Sequence, residues 1–187
     1  MHEDLTKWKR CKRCNLHILR KNVVLGKGSL PCDVLFIADA PGKSDDLRAE
    51  PFVGPSGKLL RLAINTALRL ARTPLDQAPS IYIMYCVGCR PCNEPLGLNR
   101  EPTGEELWAC FQRFDEEAKL ARPKQVAFLG KIAAKNCRER FPAGRALQHP
   151  GYIRQQGGAN SAAYTQFVRE LSEVFRLCQP RSHSRTK

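Results

Sequence analysis

Asp33-Val34-Leu35-Phe36-Ile37-Ala38 is a short apolar run behind a single acid, and Asp39-Ala40-Pro41-Gly42-Lys43-Ser44-Asp45-Asp46 follows it directly. A run this short without polar alternation reads as a strand buried on both faces. Pro41 and Gly42 end it in a loop that continues to Pro55-Ser56-Gly57. Beyond the loop, Leu59, Leu60, Ala63, Ile64, Ala67, Leu68 and Ala71 recur at helical spacing, which predicts a helix over roughly 57–72. Strand, Gly/Pro loop and helix in that order are the opening of a parallel α/β unit.

The rest of the chain repeats the alternation. Ser80–Val87 reads as a second strand and Gly88–Pro102 as a loop. Thr103 with Glu106 three residues later is a capping box, opening a helix to about Ala121. Gln125–Leu129 is a third strand, and Gly130 leads into a helix of about ten residues. Arg145–Gln148 is a fourth strand, ending at His149-Pro150-Gly151-Tyr152, and a last helix covers roughly Ser161–Leu177. The pattern predicts a single-domain α/β/α sandwich around a central, mainly parallel, four-stranded sheet. Ligands of such sheets bind at the carboxyl ends of the strands. The loops 39–57, 88–102 and 149–157 are therefore expected to meet at one edge.

The 187 residues suit one domain, expected over 1–178, with a basic tail, 179–187, expected to be disordered. Hydrophobic residues make up 42%, enough for a core. No apolar stretch approaches the ~18 residues of a membrane span, and Met1-His2-Glu3-Asp4 opens no secretory signal. An intracellular, cytoplasmic monomer is expected. The net charge of +13 points to a polyanionic partner, most often nucleic acid.

Nine cysteines stand at 11, 14, 32, 86, 89, 92, 110, 137 and 178. An odd count in a reducing compartment argues against a disulfide framework. Cys11 and Cys14 form C-x₂-C, Cys86, Cys89 and Cys92 form C-x₂-C-x₂-C, and Cys110 lies on the capped helix. Four thiolates suit zinc or a [4Fe–4S] cluster, and spacing does not choose between them. Nor does it choose which two of 86, 89, 92 and 110 join 11 and 14, or whether those four form a set of their own. Cys32, Cys137 and Cys178 read as small buried hydrophobes.

Ala38-Asp39-Ala40-Pro41-Gly42-Lys43-Ser44-Asp45-Asp46, then Pro51-Phe52-Val53-Gly54-Pro55-Ser56-Gly57-Lys58-Leu59-Leu60, resembles the iron–sulfur (family 4) uracil-DNA glycosylases of the uracil-DNA glycosylase superfamily. Their pattern is G-E-x-P-G-x-x-E-D followed by P-F-V-G-x-x-G-x-L-L. Cys89-Arg90-Pro91 is similar to the end of the family's K-C-R-P segment. Gln125–Gly130 is similar to its third strand, and His149-Pro150-Gly151-Tyr152 to its H-P-x-Y motif. The resemblance covers about residues 8–176.

The resemblance implies a DNA glycosylase that hydrolyses the N-glycosidic bond of uracil or a modified pyrimidine after flipping the nucleotide out of the duplex. It implies a [4Fe–4S] cluster on Cys11, Cys14, Cys89 and Cys110, with Cys86 and Cys92 as extras and added residues around Asn93–Leu98. Asp39 and Asp45 take the acidic catalytic positions and His149 that of the leaving-group donor. Ala40, Phe52 and Tyr85 take base-binding positions, and Lys58, Arg90 and Arg154 would hold DNA phosphates. Two departures from the pattern matter. Asp39 replaces a longer Glu, and Tyr85 stands where the family has the Asn that reads the uracil edge. A phenol is bulkier and offers one hydroxyl, so a second function is carried forward: a DNA-binding protein of the same fold with weak or absent catalysis.

Overall fold

A computed structural model describes residues 3–94 and 97–178. Its strands are β1 (Lys27–Gly28), β2 (Val34–Ala38), β3 (Ile81–Tyr85), β4 (Gln125–Leu129) and β5 (Arg145–Leu147). Its helices are α1 (Glu3–Thr6), α2 (Leu16–Leu19), α3 (Lys43–Arg48), α4 (Pro55–Leu70), α5 (Gly104–Ala121), α6 (Lys131–Cys137), α7 (Pro150–Gln155) and α8 (Ala162–Arg176). The sheet order is β1-β3-β2-β4-β5. β3, β2, β4 and β5 are parallel, and β1 pairs antiparallel with β3.

The parallel α/β sheet predicted from sequence is present, with a fifth strand added at its edge. β1 is two exposed residues, too short for any periodicity to register. α3 and α7 lie inside segments read as loops, each only six residues long. α6 is seven residues rather than about ten. The basic tail 179–187 lies outside the described residues.

The sheet is sandwiched because β2 is buried on both faces. Val34, Phe36 and Ala38 point toward α4 and α8, packing with Leu60, Ala63, Phe167 and Leu171. Leu35 and Ile37 point the other way, toward Phe114 and Ala121 of α5 and Ala133 and Cys137 of α6. Each large side chain so buried contributes about 1.5–3 kcal/mol relative to exposure. A third cluster seats the N-terminal segment: Leu5, Trp8, Leu16, Val23 and Leu25 pack on Val87 and Cys89. No helix among the described residues is long and apolar enough to cross a membrane.

α5 is fixed at its start by the expected capping box. Thr103 Oγ1 accepts from Glu106 N at 3.3 Å, and Glu106 Oε2 accepts from Thr103 N at 2.9 Å. Arg100 clamps the same carboxylate through two nitrogens at 2.9 and 2.6 Å. This orients the helix that carries Cys110.

Candidate active site

The three loops do meet at the carboxyl edge of the sheet. They enclose a cavity of about 300 Å³ whose walls include Asp39, Ala40, Asp45, Phe52, Tyr85, Arg100, His149 and Arg154.

β2 delivers Asp39 to the cavity mouth, and β5 delivers His149, the N-cap of α7. His149 Nδ1 accepts a hydrogen bond from Gly151 N at 3.0 Å. An amide can only donate, so the neutral ring carries its proton on Nε2. That nitrogen stands 4.0 Å from Asp39 Oδ1. Burial lowers the His149 pKa below the ordinary histidine value, and the charges of Asp39 and Asp45 oppose the shift only in part. The ring is thus held as a neutral N–H donor beside a carboxylate.

Asp45 is differently placed. It closes the first turn of α3, accepting from Gly42 N (3.0 Å) and Val53 N (2.9 Å). Its third donor is the Tyr85 hydroxyl at 2.8 Å. It is buried and fully engaged, whereas Asp39 keeps a quarter of its side chain exposed. The neighbouring Asp46 accepts from the amides of Lys21 and Asn22, pinning the N-terminal segment to α3. From sequence Asp46 reads only as part of a helix cap or solvated turn, because its partners lie more than twenty residues away.

Phe52 has φ +54°, the left-handed region that a bulky residue adopts only when held there. Its amide donates to the Tyr85 hydroxyl at 3.1 Å, and its carbonyl accepts from Arg61 Nη1 at 2.9 Å. Gly57 makes this possible, since a Cβ there would sit 1.6 Å from the Phe52 carbonyl oxygen. The Tyr85 ring stacks on Phe52 at 5.5 Å between centroids and 12° between planes. Both rings are buried, at 2% and 4% exposure. Burial, with Asp45 as neighbour, pushes the Tyr85 pKa well up, so the phenol stays protonated and donates to Asp45.

Among the basic candidates, Arg154 is exposed and lines the cavity, and Lys58 is exposed on the first turn of α4. Arg90 is turned inward. It is 3% exposed, and its guanidinium bonds Asn99 Oδ1 at 2.6 Å and the Gly97 carbonyl, so it braces its own loop. Arg100 and Lys43 also line the cavity, and sequence reading passed over both. The one available signal was that Arg100 stands just ahead of the Thr103–Glu106 capping pair.

Cys11, Cys14, Cys89 and Cys110 share the third core cluster, brought together from the N-terminal segment, the loop after β3, and α5. Arg20 Nη1 donates to Cys89 Sγ at 3.2 Å, and Gly88 N and Arg113 Nε donate to Cys110 Sγ at 3.3 and 3.2 Å. Burial raises the Cys14 and Cys89 thiols, Cys89 to about 12, and the neighbouring cysteines add to both shifts. Ionising Cys14 and Cys89 is therefore favoured by a cationic partner. Among the described residues, no group of three or more His, Cys, Asp or Glu is set to hold a single metal ion. Four soft donors, two of them with N–H···S support, fit an iron–sulfur cluster, in which each thiolate would bind a separate iron. Of the other cysteines, Cys86 lies in the second core with its sulfur 3.3 Å from that of Cys137, and Cys92 is buried in the loop opposite Asn99.

Residues 25–182 match the uracil DNA glycosylase superfamily. The chain belongs to that superfamily. It is similar to curated type-4 uracil-DNA glycosylases. It is 36% identical to the Saccharolobus solfataricus protein over 123 residues, covering 66% of this chain and 52% of that protein. It is 36% identical to the Archaeoglobus fulgidus protein over 124 residues, covering 66% and 56%. With the Thermotoga maritima protein it shares 35% over 125 residues, covering 67% and 59%. The matched stretch thus spans little more than half the length of these relatives.

Proposed function

We propose that this protein is a DNA glycosylase that hydrolyses the N-glycosidic bond of uracil or a modified pyrimidine in an extruded nucleotide. The observation that carries the reading is the pairing of Asp39 with the Nε2 face of a neutral His149 at one cavity. Breaking the bond leaves positive charge on the sugar and negative charge on the departing base. The Asp39 carboxylate is suited to stabilise the first and to orient water, and the His149 N–H to stabilise the second. Losing one such donor costs about 10²–10³ in rate. Arg154 and Lys43, which line the cavity, and the exposed Lys58 are suited to meet DNA phosphates, whereas Arg100 is held by Glu106.

Cys11, Cys14, Cys89 and Cys110 would hold a [4Fe–4S] cluster. Its contribution there would be structural, with Cys11 and Cys14 tying the N-terminal segment to Cys89 after β3 and Cys110 on α5. The test of the enzyme reading is release of free base by cluster-loaded protein from a panel of uracil- and modified-base DNAs. Release of any base supports it, and no release from the whole panel with the cluster intact overturns it.

One observation favours a second reading, a DNA-binding protein of this fold without excision: Tyr85 covers the ring of Phe52. That reading expects salt-dependent DNA binding with no abasic product.

A further inference from the structure

We propose that Tyr85 is the selectivity element of the cavity, a built-in surrogate for the imide edge of an extruded base. The inference rests on the glycosylase reading only in taking this cavity as the base site.

A phenol and a pyrimidine are both flat six-membered rings. The Tyr85 ring lies nearly parallel to Phe52, the aromatic against which an entering base would stack. At its edge a single oxygen does two jobs, accepting from the Phe52 amide and donating to the Asp45 carboxylate. With the phenol removed, the site would present one N–H donor beside one carboxylate acceptor. The complementary ligand edge is a carbonyl next to an N–H. Uracil and 5-substituted uracils carry that imide edge, whereas cytosine has an acceptor nitrogen where the imide has its N–H. Tyr85 fills and satisfies this subsite from within, since the phenol is buried and bonded on both sides. A core filler would need no hydroxyl here, and a Phe would stack equally well. The hydroxyl is explained by the two polar groups that it caps.

The experiment compares wild type, Tyr85→Ala, Tyr85→Asn and Tyr85→Phe as cluster-loaded proteins of equal visible spectrum. It measures binding of free uracil and free cytosine, and single-turnover release from uracil-containing DNA. Tyr85→Ala and Tyr85→Asn are expected to gain uracil affinity over wild type by at least about tenfold, with no matching gain for cytosine. Tyr85→Phe, which keeps the ring, is expected to bind uracil no better than wild type. Uracil release by Tyr85→Asn is expected to exceed wild type by at least about 10²-fold. Where Tyr85→Ala does not fold, Tyr85→Asn carries the same comparison.

Uracil affinity unchanged in the folded variants overturns the proposal, as does wild-type release as fast as that of Tyr85→Asn. Variants that gain uracil affinity but release no base uphold Tyr85 as the surrogate and count against the glycosylase reading.

Discussion

The Arg113 guanidinium donates from Nε to the Cys110 sulfur at 3.2 Å and from Nη2 to the carbonyls of Tyr85 and Cys86. One buried side chain therefore spans the thiol group and the end of the strand that carries the cavity floor. Its charge is balanced by Glu117 at 3.0 Å, itself fully buried. The carboxyl of Glu117 is raised by that burial, with the charge of Arg113 pulling it back. Gly88 gives the guanidinium room, since a Cβ there would come within 3.2 Å of Arg113 Cδ.

Arg113→Met leaves Glu117 buried without its cation and takes a donor from the carbonyls of Tyr85 and Cys86 and one of two donors from Cys110. The expected loss is about 3–5 kcal/mol in urea unfolding. The double variant Arg113→Met/Glu117→Leu is expected to recover part of it, because two apolar groups remove the uncompensated charge. No recovery would mean that the contacts to Cys110 and the strand carbonyls dominate.

Replacing Cys11, Cys14, Cys89 or Cys110 by Ser is expected to abolish the iron content and visible absorbance of the loaded protein, about four irons per chain. Cys86→Ser and Cys92→Ser are expected to retain both, since neither side chain belongs to the same core cluster. Iron analysis and the absorption spectrum check this directly. Retention of a full cluster by Cys110→Ser would refute the ligand set.

His149 predicts a pH dependence of stability with a definite sign. Its folded pKa is lowered by burial. Above the ordinary value of about 6.5 both folded and unfolded rings are neutral, and the shift contributes nothing. Below it the unfolded chain takes up a proton that the folded ring resists, so stability falls as pH drops toward the folded pKa. Urea midpoints across this window should decline on acidification, and less steeply in His149→Gln. An equal slope in both proteins would place the effect elsewhere.

Gly57→Ala tests the backbone under Phe52. The added Cβ would meet the Phe52 carbonyl carbon at 2.2 Å and its oxygen at 1.6 Å, and neither is the movable end of a side chain. The loss should exceed the about 1–3 kcal/mol of ordinary overpacking. Gly104→Ala, where a Cβ meets nothing within 4 Å, is the control and should be close to neutral.

Thr103→Ala removes the hydroxyl that caps α5 and should cost about 1 kcal/mol by denaturant titration. Thr103→Ser should restore most of it.

The sequence by itself determined the alternation of strands and helices, the capped start of α5 and the loops that form the cavity. Those signals are local: an apolar run, a 3.6-residue period, a Thr three places before a Glu. Local signals failed at β1, α3 and α7, which are shorter than the window in which a period can register. Tertiary structure alone decided that Asp45 is a spent acceptor while Asp39 stays open to the cavity, that Arg90 turns inward, and that Arg113 reaches from a cysteine to the cavity floor. Each of these depends on which distant backbone groups need a partner once water is excluded, and chain order does not encode that locally. Tyr85 shows the division best: its identity marks an altered site, but only packing against Phe52 and Asp45 gives the phenol both its hydrogen-bond partners.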